Sequence, residues 1–297
     1  ILDGQQRIMS LFFYYIGHYL NKRRNSSINF SELVVEDSSF KEALLNQFEL
    51  EELHITLNGQ DGKPINVDYA SLPIELKRRI DYTAITVIEI KIDNEERKTE
   101  VLRQIFANLN RGGSLLSEQE QRNGIYVCEF YDMLQEFNRS NSSWRKIWGR
   151  EDAKEKDLET LLRFCALRRF VSVKKNLLSY DFIIDGYNSS YVELLDRFSE
   201  TSMKFTPTEI DEYKESLTQF LELIQVSGTQ SSKVALLESF YIVFEKLNMR
   251  KPVTKQIYDK ILNSSQYIAH VRQGTVKMKS MNERWKTVYE IWSGADE

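Results

Sequence analysis

The stretch ILDGQQRIMSLFFYYIG, residues 1–17, places a short polar run between an apolar fragment and a strongly apolar segment. The apolar residues after Arg7 predict a helix over about residues 5–20. Asp3 is a good N-cap residue, and Gly4 permits a tight turn into the helix. We expect the first two residues to end a strand that starts upstream, so the order strand, turn, helix predicts a mixed α/β region.

The polar run also has the chemistry of a phosphate-binding turn. A helix N-terminus presents unpaired backbone N–H groups and the positive end of the helix dipole. Gly4 allows close approach, Gln5 and Gln6 supply amides, and Arg7 supplies a planar fork that suits phosphate oxygens. Asp3 could hold Mg²⁺ or orient a water. The residues alone leave a second interpretation open, a capped helix whose first turn is merely solvated.

A second polar cluster lies in FANLNRGGSLLSEQEQRNGIY, residues 106–126. Its double glycine predicts a turn, and Ser117 with Glu120 forms a capping box for a helix that runs to about Phe137. Alone, this pattern is typical of a loop and a cap. Paired with the first polar run, it predicts an anion site enclosed by the first helix and the loop at 110–113.

The rest of the chain predicts an α+β protein. Residues 85–92, ITVIEIKI, form the clearest strand, and the chain beyond them reads as almost wholly helical. The polar run at 138–143 is the best candidate for a boundary. We therefore predict a mixed α/β domain over 1–140 and an α-helical domain over 141–297. Buried helix positions are predicted at 234–244, at Leu158, Leu161, Leu162 and Cys165, and at Met281, Trp285, Val288 and Trp292.

Composition narrows the functional classes. The net charge of −4 over 297 residues gives no global field for a polyanion. Cys128 and Cys165 lie far apart, which favours a reducing, cytoplasmic setting over a zinc site. His18, His54 and His270 are isolated in the sequence and are not expected to bind metal.

No apolar run reaches the length of a membrane span. No P-loop occurs, so nucleotide hydrolysis would need a non-Walker site.

Basic residues gather at 21–24, at 168–175 and from 250 to 286. These groups are either a DNA-contacting surface or ordinary solvated helix faces, and the sequence leaves both open. Trp144 and Trp148 could stack on a base, although packing between the two domains is the favoured interpretation.

Three stretches resemble the GmrSD N-terminal family. ILDGQQRIMSL is similar to its Asp-Gly-Gln-Gln-Arg signature, IFANLNRGGSLLSEQEQRNGIY resembles its second signature, and KDLETLLRFCALRRF resembles a third. The resemblance runs from residue 1 to about residue 190. It implies a ParB/sulfiredoxin-like fold and a place in bacterial systems that restrict modified phage DNA.

The resemblance also implies that the first signature binds and hydrolyses a nucleoside triphosphate (NTP) with Mg²⁺, which regulates DNA cleavage. The residues so implied are Asp3, Gln6, Arg7 and Glu120 for catalysis, Gly4, Gln5, Arg7, Asn110, Arg111, Gly113, Arg122 and Asn123 for nucleotide binding, and Asp3 for the metal.

Many members carry an HNH nuclease domain, but the His-Asn-His spacing does not occur in this sequence. The nuclease is therefore expected to be absent or on another chain. The first hypothesis is an NTP-binding and NTP-hydrolysing domain of an antiphage restriction system. The alternatives are a nucleotide-gated DNA-binding module without turnover and a ParB-like nuclease that acts through its carboxylates.

Overall fold

The structure, a computed structural model, describes most of the chain. The chain divides into two compact units, Ile1–Lys98 and Thr99–Glu297. The predicted boundary at 138–143 lies inside the second unit, where one helix ends at Ser140 and the next begins at Ser142. The described residues are 4–20, 39–48, 50–59, 61–92, 100–102, 104–105, 116–152, 154–176, 179–227, 234–272 and 275–294.

The described part of the first unit combines helices with two short antiparallel hairpins. Strand β1 pairs with β2, and β3 pairs with β4. Helix α1 ends at Ile16, before the predicted residue 20, because Gly17 adopts a left-handed backbone with φ 70° and caps it. The elements are α1 Gln5–Ile16, β1 His18–Leu20, α2 Phe40–Gln47, β2 Leu50–Glu52, β3 Thr56–Asn58, β4 Pro64–Asn66, the 3₁₀ turn Tyr69–Ser71 and α3 Ile74–Asp81.

The predicted strand at 85–92 is wrong. These residues form neither helix nor strand, and the side chains of Val87 and Ile88 are 83% and 82% exposed. A β-rich sequence forms a strand only when a second strand supplies its hydrogen bonds, and no described residue pairs with this segment. The mixed composition of the unit fits the α+β class, whereas the ParB/sulfiredoxin-like fold stays a prediction.

The second unit is mainly helical, with one hairpin among its described residues. The hairpin joins β5 and β6, with Val173 opposite Phe182, and was not predicted. The described residues at 100–102 and 104–105 are also helical. The named elements are α4 Glu118–Ile125, α5 Glu129–Ser140, α6 Ser142–Trp148, α7 Lys156–Phe170, β5 Val171–Lys175, β6 Tyr180–Ile184, α8 Tyr191–Ser202, α9 Pro207–Leu223, α10 Val234–Leu247, α11 Lys255–Leu262, α12 Ser265–Ala269 and α13 Met278–Ser293.

The single helix predicted from Ser117 to Phe137 is also wrong, because the chain breaks between α4 and α5. Tyr126 leaves the helical region, with φ −103° and ψ 76°, and its ring is completely buried beside the ring of Tyr131. Cys128 is extended and begins α5 as its N-cap residue. The chain thus buries the Tyr126 ring and does not continue the helix.

The core of the second unit lies around α10. All side chains from Leu236 to Phe244 are buried, which confirms the prediction of a central helix. The predicted stripes on α7 and α13 are also buried. Trp144 is 0% exposed and packs against Phe164 inside this unit, so its ring is not a surface platform for a base. No helix among the described residues has the length and apolarity to cross a membrane.

A capping box at the start of α9 provides a local test of the fold. Thr206 Oγ1 accepts a hydrogen bond from the backbone of Glu209 at 3.3 Å, and the Glu209 carboxylate accepts one from the backbone of Thr206 at 2.9 Å. We expect Thr206→Ala to lower the free energy of unfolding by about 1 kcal/mol, because the cap is lost. Unfolding in denaturant measures the loss in the free energy of unfolding. Thr218→Ala, the same change inside α9, is the control, and an equal loss in both variants would contradict the capping account.

Candidate functional site

The N-terminus of α1 is organised differently from the capped helices of the chain. Its N-cap residue is Gly4 and not, as the sequence predicted, Asp3; Gly4 has a left-handed conformation with φ 85° and ψ 1° and has no side chain that could cap the helix. The first turn carries no acidic residue. By contrast, α2 begins with a capping box of Ser39 and Glu42. The first N–H groups of α1 therefore face their surroundings without an intrahelical partner, which is the arrangement that favours a bound anion.

Arg7 folds back over this turn. Its Nη2 lies 3.6 Å from the position that a β-carbon on Gly4 would occupy, and its side chain is exposed. The guanidinium fork and the start of the helix are thus close together. A side chain at position 4 would be strained at this φ, so the backbone conformation of the turn favours glycine.

The remaining members of the two predicted clusters are described only in part. Gln5 and Gln6 are helical, as predicted. Asp3, Asn110, Arg111 and Gly113 lie outside the described residues. The prediction that the first helix and the loop at 110–113 enclose an anion therefore stays a prediction.

Glu120 works as part of the predicted capping box of α4. Its Oε2 accepts a hydrogen bond from the backbone N–H of Ser117 at 2.6 Å, while Ser117 Oγ accepts one from the backbone of Glu120 at 3.2 Å. The box is confirmed. One carboxylate oxygen of the predicted catalytic residue is therefore engaged in holding the helix start.

Arg122 is buried among three helices. Its Nε lies 2.8 Å from Oδ1 of Asp196 in α8, and its Nη1 lies 4.0 Å from Glu159 of α7 and 3.5 Å from Gln119. The side chain is 3% exposed. These contacts make Arg122 an anchor that joins α4 to α7 and α8, and a nucleotide would have to displace them to reach the guanidinium.

Asn123, the residue after Arg122 in α4, is half-buried. Its Oδ1 accepts a hydrogen bond from Gln119 Nε2 at 2.9 Å, and its Nδ2 donates one to Glu155 Oε2 at 2.5 Å. Burial raises the pKa of Glu155 to about 7, and the nearby carboxylates of Glu120, Asp157 and Glu151 add to the effect. Glu155 was not predicted, because it stands in a charged run, REDAKEKD, that looks like a solvated loop.

Asp157 fixes the loop that carries Glu155. Its carboxylate is 1% exposed and accepts hydrogen bonds from Arg145 at 2.9 Å and from Asn138 at 3.1 Å. Asn138 Oδ1 also accepts a hydrogen bond from the indole N–H of Trp144 at 2.7 Å. The acidic residue of the third signature therefore has a structural role in the second unit.

Part of the predicted basic surface is engaged within the protein. Arg284 is buried and lies 3.5 Å from Glu238, and Lys286 lies 2.6 Å from Asp181. Residues 21–24 lie outside the described residues. The exposed basic residues of the last stretch are Arg250, which donates a hydrogen bond to the carbonyl of Phe244, and Lys255, Lys260, Arg272, Lys277 and Lys279.

The described residues contain no group of three or more His, Cys, Asp or Glu side chains that could hold a metal. His18 Nδ1 lies 2.9 Å from the backbone carbonyl of Ile16. Cys128 and Cys165 are free thiols, and burial raises the pKa of Cys165.

Comparison with known families finds a match in the first part of the chain. Residues 1–127 match the model of the family described as GmrSD restriction endonuclease, N-terminal domain. The matched segment contains both polar clusters and ends at Val127, in the break between α4 and α5. It confirms the predicted resemblance for the first two signatures, whereas the third signature and the extension to about residue 190 stay predictions. No curated protein and no solved structure matches the chain.

Proposed function

Since residues 1–127 belong to the GmrSD restriction endonuclease N-terminal domain family, we propose that this chain binds a nucleoside triphosphate at the start of α1. In this proposal, nucleotide binding regulates a bacterial restriction system that acts against modified phage DNA. The nuclease activity belongs to another chain or to a domain outside the present sequence.

The observation that carries the proposal is the pairing of an uncapped helix start with a guanidinium group. Gly4 leaves the first N–H groups of α1 without a side-chain cap, and Arg7 Nη2 lies over the same turn. Backbone N–H groups bind phosphate oxygens individually, whereas the guanidinium can bind two oxygens at once. A triphosphate presents enough oxygens to use both.

Mg²⁺ suits this site by the chemistry of its donors. Mg²⁺ is commonly bound by one or two carboxylates together with phosphate oxygens, so Asp3 as a single carboxylate is sufficient. The ion would neutralise charge on the phosphates. Asp3 and Gln6 would then orient the attacking water, so that positioning and charge neutralisation provide the catalysis.

The family resemblance also implies a catalytic role for Glu120. Glu120→Gln is a sharp test, because glutamine also completes a capping box and so preserves the start of α4. We expect this variant to unfold at the same denaturant concentration as the wild type and to release phosphate from NTP at least tenfold more slowly. Unchanged phosphate release would remove Glu120 from the proposed mechanism.

Calorimetric titration of the purified chain with ATP, GTP, CTP and UTP in Mg²⁺ tests the function itself. We expect saturable binding of at least one of them and release of inorganic phosphate on longer incubation. Binding without phosphate release would favour the nucleotide-gated module over the hydrolase. The absence of binding to all four nucleotides would contradict the proposed function.

A DNA-binding role for the second unit is supported by its exposed basic side chains, Lys255, Lys260, Arg272, Lys277 and Lys279. If they contact phosphates, the logarithm of the affinity for duplex DNA should fall linearly with the logarithm of the salt concentration. The double variant Lys255→Ala, Lys260→Ala should then bind DNA more weakly, and its affinity should depend less steeply on the salt concentration. An affinity that does not depend on nucleotide would contradict gating.

A further inference from the structure

Residues 85–92 of the first unit are an apolar segment that stands exposed on the protein. The side chains of Val87 and Ile88 are 83% and 82% exposed, Ile90 is 44% exposed, and Ile92 is half-buried. The composition suits a strand, yet these residues form neither helix nor strand. None of the described strands pairs with the backbone of this segment.

The side chains of this segment alternate as they do in a strand. Glu89 Oε2 lies 3.7 Å from Lys91 Nζ, so these two side chains point to the same side of the backbone. Residues two apart in a strand share one face, which places Ile88, Ile90 and Ile92 together on the other face. The segment thus has an apolar face and an opposite face that carries one negative and one positive charge.

A segment of this kind can serve as a template for another strand, because its backbone N–H and C=O groups are open to pairing. A second copy of the chain brings an identical segment. Two identical segments related by a two-fold axis run antiparallel, and the same surface of each copy forms the contact. Whether they fit depends on the register, since a shift by one residue moves every side chain to the other face.

One register suits both faces of this segment. If the two copies of Ile90 lie opposite each other, Glu89 of each copy lies opposite Lys91 of the other. Ile88 then lies opposite Ile92 on the apolar face. Centring the pair on Glu89 would place two carboxylates side by side, and centring it on Lys91 would do the same to two ammonium groups. An axis between two residues would set the apolar face of one copy against the charged face of the other.

We propose that residues 88–92 of two copies pair as antiparallel strands across a two-fold axis at Ile90, so that the chain forms a dimer. The two Glu89–Lys91 pairs fix the register, since opposite charges directly across a sheet favour pairing and like charges oppose it. The isoleucines meet on the other face, where Ile92 is already partly covered by its own protein. This interaction goes beyond the proposed function and needs neither NTP nor Mg²⁺.

Sedimentation equilibrium of the full chain tests the dimer. A short two-stranded ribbon is marginally stable in water, so we expect a weak, reversible dimer that appears between about 5 μM and about 500 μM. Backbone amides of residues 88–92 should exchange their hydrogens more slowly at the upper concentration than at the lower one, because pairing occupies part of them.

Two single variants test the register. Glu89→Lys turns both cross-strand pairs into Lys–Lys pairs, and Lys91→Glu turns both into Glu–Glu pairs. We expect each variant to dimerise about tenfold more weakly than the wild type, because a symmetric dimer carries each change twice. Both side chains are exposed, so unfolding in urea should be unchanged. Glu222→Lys, the same change of charge at an exposed residue of α9, should dimerise as the wild type.

Mixing the two single variants gives the sharpest result. Glu89→Lys opposite Lys91→Glu restores two pairs of opposite charge, so the mixture should form a heterodimer about as strong as the wild-type dimer. The double variant Glu89→Lys, Lys91→Glu keeps the net charge of the wild type and should also recover dimerisation.

Three outcomes would overturn the inference. A wild-type chain that stays monomeric over this range of concentration has no such interface. A dimer that both single variants leave unchanged uses another surface. A wild-type dimer whose two single variants fail to associate with each other does not have the proposed register.

Discussion

Arg7→Ala is expected to weaken NTP binding about tenfold to a hundredfold, because charge-assisted hydrogen bonds to phosphate contribute roughly 1.5–3 kcal/mol. The guanidinium lies over the Gly4 turn, so its loss removes the charged half of the proposed anion site. The affinity of Arg7→Lys should lie between those of the wild type and Arg7→Ala, since lysine keeps the charge and loses the planar fork. Calorimetric titration with Mg²⁺ and the NTP that binds best measures all three proteins.

Arg78→Ala is the matched control for this prediction. Arg78 is an exposed arginine on α3 of the same unit, and its removal changes the net charge by the same amount. We expect its affinity to equal that of the wild type. If the two alanine variants lose affinity equally, Arg7 contributes only through net charge. The proposed anion site at the start of α1 would then be wrong.

The second large effect is expected on stability, at the buried ion pair of Arg122 and Asp196. Asp196→Ala leaves a guanidinium that is 3% exposed without its nearest carboxylate, at 2.8 Å. Removing one partner of a buried pair is strongly destabilising, and we expect a loss of about 3 kcal/mol in the free energy of unfolding. Glu159, at 4.0 Å, is too distant to replace the lost bond fully. Urea denaturation measures the loss.

The double variant Arg122→Met, Asp196→Leu distinguishes a lost pair from lost packing. Replacing both members of a buried pair by apolar groups is often neutral, so the double variant should be more stable than Asp196→Ala alone. Glu222→Ala, an exposed acidic residue of α9, should have little effect. A double variant that is less stable than the single one would contradict this account of Arg122.

Features that depend on neighbouring residues were predicted well from the sequence. The capping box at Ser117 is confirmed, because a cap involves residues three positions apart. The buried stripe of α13 is confirmed for a similar reason, since helical spacing alone decides which side chains share a face. The first helix was predicted from its start, although Gly17 ends it earlier than expected.

Features that depend on distant residues were missed. Residues 85–92 have the composition of a strand, but a strand also requires a partner that composition cannot supply. The site shows the same limit. Asn123 meets Glu155 from 32 positions away, and Arg122 meets Asp196 from 74 positions away. No local pattern marks Glu155 or Asp196 as a partner of α4.

The central claim is that NTP binds at the start of α1, and backbone amide signals in ¹H–¹⁵N NMR spectra test it most directly. Hydrogen bonds from the first turn to phosphate oxygens should shift the amide signals of residues 4–7 more than those of any other helix start. Titration with a nonhydrolysable NTP and Mg²⁺ should produce these shifts in the wild type and greatly reduce them in Arg7→Ala. Saturable binding that leaves the signals of residues 4–7 unchanged would contradict the account.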